Sequence, residues 1–310
     1  MSTNTSNLTE EVAQPDASDD TKRVPWYIAD ADLPELDSQA HEIFVNYSHL
    51  PPDKIQTHVL KKREEAWKIF PFPCIGQMRF LDFSLAKMPS YDNILERLCD
   101  STAPARLLDV GCCFGQDLRR LVADGAPSEH LVGLELESQF LDLGFDLFVD
   151  HELFKGQMIA GNLFDESPNA PLASLRGSID IAHAASFFHL FNWDDQVNAG
   201  VHLVRLMRNT PGALVLGRQL GSSTGEERPS PTNPNSKMYY HSPDSFKALW
   251  AVISERTETN WDVNAWLEMT NTHSKRADKE QWMRNRIQLL YFEVRQTHGA
   301  GNGHGRSHLT

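Results

Sequence analysis

The chain has 310 residues, 40% hydrophobic and 23% charged, with a formal net charge of −13. That length suits one large α/β domain with an accessory helical region. The acidic balance excludes the phosphate backbone of nucleic acid and an anionic membrane surface as main partners, and no apolar run reaches the ~20 residues of a membrane span.

Residues 1–22 are rich in Ser, Thr, Asn, Asp and Glu and are expected to form a disordered acidic tail. The tail lacks the basic-then-apolar layout of a signal peptide. Residues 23–100 read as a helical cap that helps to form the substrate region. Ordered structure is expected from Trp26-Tyr27-Ile28, with helical spacing over 37–47 and 53–70 and Pro51-Pro52 between. The stretch 70–81 holds two prolines and many aromatic residues, so it is expected to be an irregular apolar wall across the mouth of the domain. A helix over 91–100 then leads into the first strand.

Residues 101–297 form the main domain. Strands are predicted at 105–110, 130–135, 157–164, 178–185 and 213–219, and helices at 115–124, 138–149 and 194–208. Such alternation calls for a parallel sheet with right-handed crossovers and helices on both faces. Ligands then bind at the carboxyl ends of the strands. Ser222 to Ser236 is expected to be a mobile loop. Ser242-Pro243-Asp244 opens a helix over 243–256. Two last strands, 261–269 and 287–294, flank a short helix at 279–284. Residues 298–310 are expected to be a second disordered tail. The four cysteines, Cys74, Cys99, Cys112 and Cys113, form no Cys-x-x-Cys pair, so free thiols in a reducing cytoplasm and no metal site are expected.

The first strand runs into Asp109-x-Gly111-x-x-x-Gly115 and then a helix. Glu135, twenty residues on, closes the second strand, where a carboxylate can accept from both hydroxyls of a ribose. The position two after Gly111 is Cys113, so a Gly-x-Gly-x-x-Gly dinucleotide fingerprint fails, and no phosphate loop is present.

The glycine motif resembles the first motif of class I methyltransferases, which bind S-adenosylmethionine (SAM). The runs Phe72-Pro-Cys-Ile-Gly, Leu108-Asp-Val-Gly-Cys-Cys-Phe-Gly-Gln-Asp, Gly144-Phe-Asp-Leu-Phe, Ser186-Phe-Phe-His-Leu-Phe and Leu216-Gly-Arg-Gln-Leu-Gly are similar to a fungal branch of that fold. That branch methylates secondary metabolites, including the carboxyl groups of meroterpenoid acids. The resemblance implies a Rossmann-like seven-stranded sheet of order 3-2-1-4-5-7-6, with an antiparallel last pair, and a homodimer. It places SAM against Asp109, Gly111, Cys112, Gly115 and Glu135. Leu136, Asn162, Leu163 and Phe187 complete the cofactor wall. Glu135 and Asn162 stand where aspartate is common, and both keep an acceptor oxygen.

The aromatic run 185–193 follows the fourth strand, and ring faces attract a sulfonium. His189 is its one titratable side chain. Two acceptors therefore stay open. A small apolar carboxylic acid is already ionised at neutral pH and needs no base. A phenol or other hydroxyl would call on His189 as general base. His183 is expected to be structural, and His241 to close over substrate. A non-catalytic SAM-fold subunit and a nicotinamide oxidoreductase are the rivals from other classes. The glycine turn and Glu135 are intact, and the third glycine and a Tyr-x-x-x-Lys pair are missing, which disfavours both.

Overall fold

The computed structural model describes residues 19–24, 26–30, 33, 35–233, 235–269 and 288–298. Most of both expected tails and the short helix at 279–284 lie outside these residues.

Seven strands form one sheet: β1 Leu107–Val110, β2 Leu131–Glu135, β3 Gln157–Ala160, β4 Ile181–His183, β5 Leu214–Gly221, β8 Asn260–Met269 and β9 Gln288–His298. Their order is β3-β2-β1-β4-β5-β9-β8, which is 3-2-1-4-5-7-6 when the sheet's own strands are counted. The first five run parallel, and β9 is antiparallel to both neighbours. This is the class I methyltransferase sheet. β1 is central, so Leu107, Leu108 and Val110 are fully buried, as expected of a strand covered on both faces.

The third and fourth strands are shorter than their apolar runs suggest. Gly161 and Asn162 turn out of the sheet, and the Asn162 side-chain oxygen accepts from the Phe164 N–H at 2.9 Å, a local turn that competes with the ladder.

The helices are α1 Ser38–Glu42, α2 Pro52–Ile69, α3 Pro73–Gly76, α4 Tyr91–Leu98, α5 Gln116–Ala123, α6 Ser138–Phe148, α7 Trp193–Leu206 and α8 Pro243–Thr257. Ser242 and Ser245 cap α8 reciprocally, by bonds of 3.1 and 2.9 Å. Two expectations need correction. The proline-rich stretch contains a helical turn, α3, because Pro73 stands at its first position, where a missing N–H costs nothing. Ser222 to Ser236 is not a free loop. β6 Glu226–Pro229 pairs with β7 Lys237–Tyr240 as an antiparallel hairpin, and the Tyr239 N–H donates to the Phe191 carbonyl at 2.8 Å.

The cap packs onto the turn after β1 and onto α6. Ile43, Phe44, Ile55, Val59, Trp67 and Phe80 share one buried cluster with Phe114 of the glycine turn and Phe140 and Phe148 of α6. Arg63 of α2, fully buried, ties it together by donating to the carbonyls of Ile28, Ile75 and Gly76 and pairing with Asp30 at 2.8 Å. The cap starts before residue 23. Asp19–Arg23 is a 3-10 turn whose Lys22 pairs with Glu64.

Candidate active site

Three residues between β1 and α5 adopt left-handed backbone: Gly111 (φ +68°), Cys113 (+53°) and Gly115 (+64°). Glycine takes such angles freely, whereas Cys113 must be held there. Glu135 does so. One carboxylate oxygen accepts from the Cys113 N–H at 2.9 Å, and the other from the N–H groups of Leu136 (2.8 Å) and Glu137 (3.2 Å). Burial pushes the Glu135 pKa up, and these three amides oppose that shift. Leu136, beside it, is 65% exposed, an apolar surface at the tip of β2.

The turn is braced from below. Arg119 and Asp150, both fully buried, form a 2.9 Å ion pair, and the Tyr47 hydroxyl donates to the same carboxylate at 2.7 Å. Arg119 also donates to the Phe114 carbonyl at 3.2 Å. A β-carbon at Gly115 would lie 2.5 Å from the Arg119 guanidinium. The Cys112 side chain lies in the core, 1% exposed, so only its backbone belongs to the turn.

Asp109, expected to lie against SAM, makes its hydrogen bond to His183. In the parallel register it is paired with His183, so the two side chains share a face. Asp109 Oδ1 lies 2.8 Å from His183 Nδ1, and both residues are buried. Asp117 adjoins them, accepting from the Leu85 N–H at 2.8 Å and the Ser84 hydroxyl at 3.2 Å. Possible ligand atoms of Asp109, Asp117 and His183 lie within 4.8 Å of one another. The cluster joins the cap to the sheet beneath the turn.

At the tip of β4, Ser186 is left-handed (φ +52°) and its N–H donates to the Arg218 carbonyl. The Phe187 ring lies 3.1 Å from where a Gly111 β-carbon would stand, and it meets Phe191 edge-on. His189 is 6% exposed. Its N–H donates to Gln219 Oε1 at 3.2 Å, and its Nδ1 has no partner among the described residues. Burial, and then the charge of Arg79, lower its pKa to about 3. His241 does not close over the site. It is fully buried, with Nδ1 2.9 Å from the Ser245 hydroxyl and Nε2 3.0 Å from Gln196 Oε1.

Beyond the end of β3, Asn162 spends its oxygen on the local turn, and the Leu163 side chain is buried. Among the described residues the Leu163 N–H has no backbone acceptor, so it stays free for a ring nitrogen.

Sequence reasoning missed the charges near His189. Asp82 lies 2.7 Å from Arg218 and 3.5 Å from Arg79. Met78 (φ +60°) and Phe83 (φ +42°), both left-handed, flank that segment. The available signals were an arginine inside the aromatic stretch and another in the apolar run of β5.

These residues fit SAM. The turn offers small residues and a helix start to an amino-acid end, the Glu135 carboxylate at the end of β2 can accept from ribose hydroxyls, and the exposed Leu136 with the Leu163 N–H suits a flat base.

Residues 26–81 match the family model of the meroterpenoid methyltransferase N-terminal domain. The O-methyltransferase atr3 of Stereocaulon alpinum is 36% identical over 91% of this chain and 78% of its own length. The asnovolin E/chermesin D methyltransferase nvfJ of Aspergillus novofumigatus is 34% identical, over 78% of this chain and 85% of its own. Among solved structures, the mitomycin 7-O-methyltransferase MmcR aligns with a TM-score of 0.47 at 14% identity, covering 89% of this chain and 70% of its own.

Proposed function

The chain belongs to the fungal secondary-metabolite family of SAM-dependent methyltransferases, and we propose that it esterifies the carboxyl group of a small apolar meroterpenoid or polyketide acid. The observation that carries the choice of acceptor is the state of His189. A base whose conjugate acid has a pKa of about 3 gives little driving force for removing a hydroxyl proton. A carboxylate is ionised without help.

When bound, the cofactor supplies an electrophilic methyl group on a sulfonium. The chain's task is then positioning in a dry cleft. In this reading Glu135 holds the ribose, and the backbone from Gly111 to Gly115 faces the methionine moiety. Leu136 and the backbone of Asn162 and Leu163 border adenine. Phe187 and Phe191 shield the sulfonium and exclude water. Methyl transfer from such a sulfonium to a carboxylate oxygen would leave a neutral thioether and would require no proton transfer from the chain.

Hydroxyl methylation is the second reading, and the unpartnered Nδ1 of His189 favours it. Assembly as a homodimer, carried over from the family resemblance, is checked by light scattering. The chemistry is tested by incubating the protein with methyl-labelled SAM and an apolar metabolite extract, then treating the product with mild alkali. Ester formation predicts release of labelled methanol. Label that stays bound through alkali points to an ether and overturns the proposal.

A further inference from the structure

Beside Arg218 of β5, two arginines compete for one carboxylate of the cap. Arg79 and Arg218 share one carboxylate, Asp82, at 3.5 and 2.7 Å. The arginine side chains are 18% and 10% exposed. Asp117 acts on Arg218 from beyond ion-pair distance, whereas Arg79 has only its 3.5 Å contact with the shared Asp82 where water is largely excluded, a costly arrangement for a fold to keep.

Hydrogen-bond donors are in surplus at the same place. Arg218 Nε and Gln219 Nε2 are buried without a partner among the described residues. Gln219 cannot relieve this by rotating its amide, because its oxygen already accepts from the His189 N–H. Buried donors in native folds nearly always have partners. Asp82, the only carboxylate paired with these arginines among the described residues, is used twice. What would complete the cluster is an acceptor-only, negatively charged, planar group, and arginine matches a carboxylate in that way.

We propose that Arg79, held by Asp82 opposite Arg218, binds a carboxylate in the cleft. The left-handed residues Met78 and Phe83 bracket the segment and fix its course. Arg79 is the more exposed of the two arginines, so it makes the contact, and Arg218 holds Asp82 in place. The carboxylate has two possible sources, the acceptor or the amino-acid end of the cofactor. Only the acceptor source rests on the carboxyl-methylation reading.

Two binding measurements on the full chain separate the sources. Calorimetry compares S-adenosylhomocysteine with 5′-methylthioadenosine, which lacks the amino-acid carboxylate, in wild type, Arg79→Gln and Arg79→Lys. Nuclear magnetic resonance follows the His189 ring of the S-adenosylhomocysteine-saturated protein as benzoate is added. If the cofactor is the source, Arg79→Gln weakens S-adenosylhomocysteine about tenfold or more and leaves methylthioadenosine unchanged. If the acceptor is the source, both nucleosides bind as before, benzoate shifts the His189 ring in wild type, and Arg79→Gln abolishes that shift. Arg79→Lys, which keeps the charge and loses the fork, falls between. Unchanged methylthioadenosine affinity also certifies that the variants fold. The proposal is overturned if Arg79→Gln leaves S-adenosylhomocysteine affinity unchanged while benzoate either leaves wild type unmoved or shifts both proteins alike. Ether products in the alkali experiment would sink carboxyl methylation alone and leave the cofactor arm standing.

Discussion

Beneath the glycine turn, His183 Nδ1 lies 2.8 Å from Asp109 Oδ1, and neither residue is more than 2% exposed. Burial opposes a charge on His183, but Asp109 and then Asp117 outweigh it and raise its pKa above the ordinary value. The pair lies under the residues proposed to hold the cofactor, so its strength is a property of the site as much as of the core.

Asp109→Asn is expected to destabilise the fold by up to roughly 3–5 kcal/mol, because it removes the hydrogen-bonded partner of a buried imidazolium and leaves only the charge of Asp117 beside it. A histidine with a raised folded pKa contributes fully below about pH 6.5, and that contribution is lost as pH rises through the folded value. Urea unfolding of wild type and variant should therefore show their difference shrinking toward alkaline pH. A difference that grows with pH would contradict the ion pair.

Glu135→Ala is expected to weaken S-adenosylhomocysteine binding about tenfold or more. Two effects act together: loss of the ribose acceptor and release of the strained Cys113 backbone. Glu135→Gln keeps one acceptor oxygen and should fall between, as read by calorimetry. Unchanged affinity in both variants would remove Glu135 from the site.

His189→Ala should leave kcat/KM within a few-fold of wild type, with no recovery at high pH, if the acceptor is a carboxylate. A large loss that alkaline pH partly restores would assign His189 as the base. His189 also bears on acid stability. Its folded pKa is lowered to about 3, as is that of buried His241. Their contribution is present above the ordinary ~6.5 and is lost as pH falls toward 3. His189→Asn should flatten that part of the stability profile in thermal melts across pH 4–7.

Gly111→Ala places a side chain where φ is +68° and the Phe187 ring is 3.1 Å away. Strain of about 1 kcal/mol or more is expected in chemical denaturation, with a parallel loss of SAM affinity as Phe187 is displaced. Gly125→Ala (φ +104°, with nothing within 4 Å) tests strain without that contact. It should cost stability and spare binding.

Much of the molecule was legible before any coordinates. Leu107, Leu108 and Val110 read as a buried strand because a central parallel strand must be apolar on both faces. Gly111, Gly115 and Glu135 read as parts of one turn region because a nucleoside fold needs small residues and a carboxylate at fixed chain separations, and the Glu135 bond to the Cys113 N–H brings them together. Ser242-Pro243-Asp244 marked a helix start through local capping alone. These features depend on neighbours along the chain or on the period of one element, so sequence by itself determined them.

Contacts between distant segments were decided only by the tertiary structure. Asp109 meets His183, 74 residues away, because β1 and β4 adopt one register out of several that hydrophobicity alone would allow. The hairpin of β6 and β7 docks on Phe191, and its polar composition signals only a loop. His189 is titratable in any sequence, but burial and Arg79, 110 positions earlier, decide that it is neutral. Desolvation and charge proximity are properties of three-dimensional packing, and no spacing along the chain encodes them.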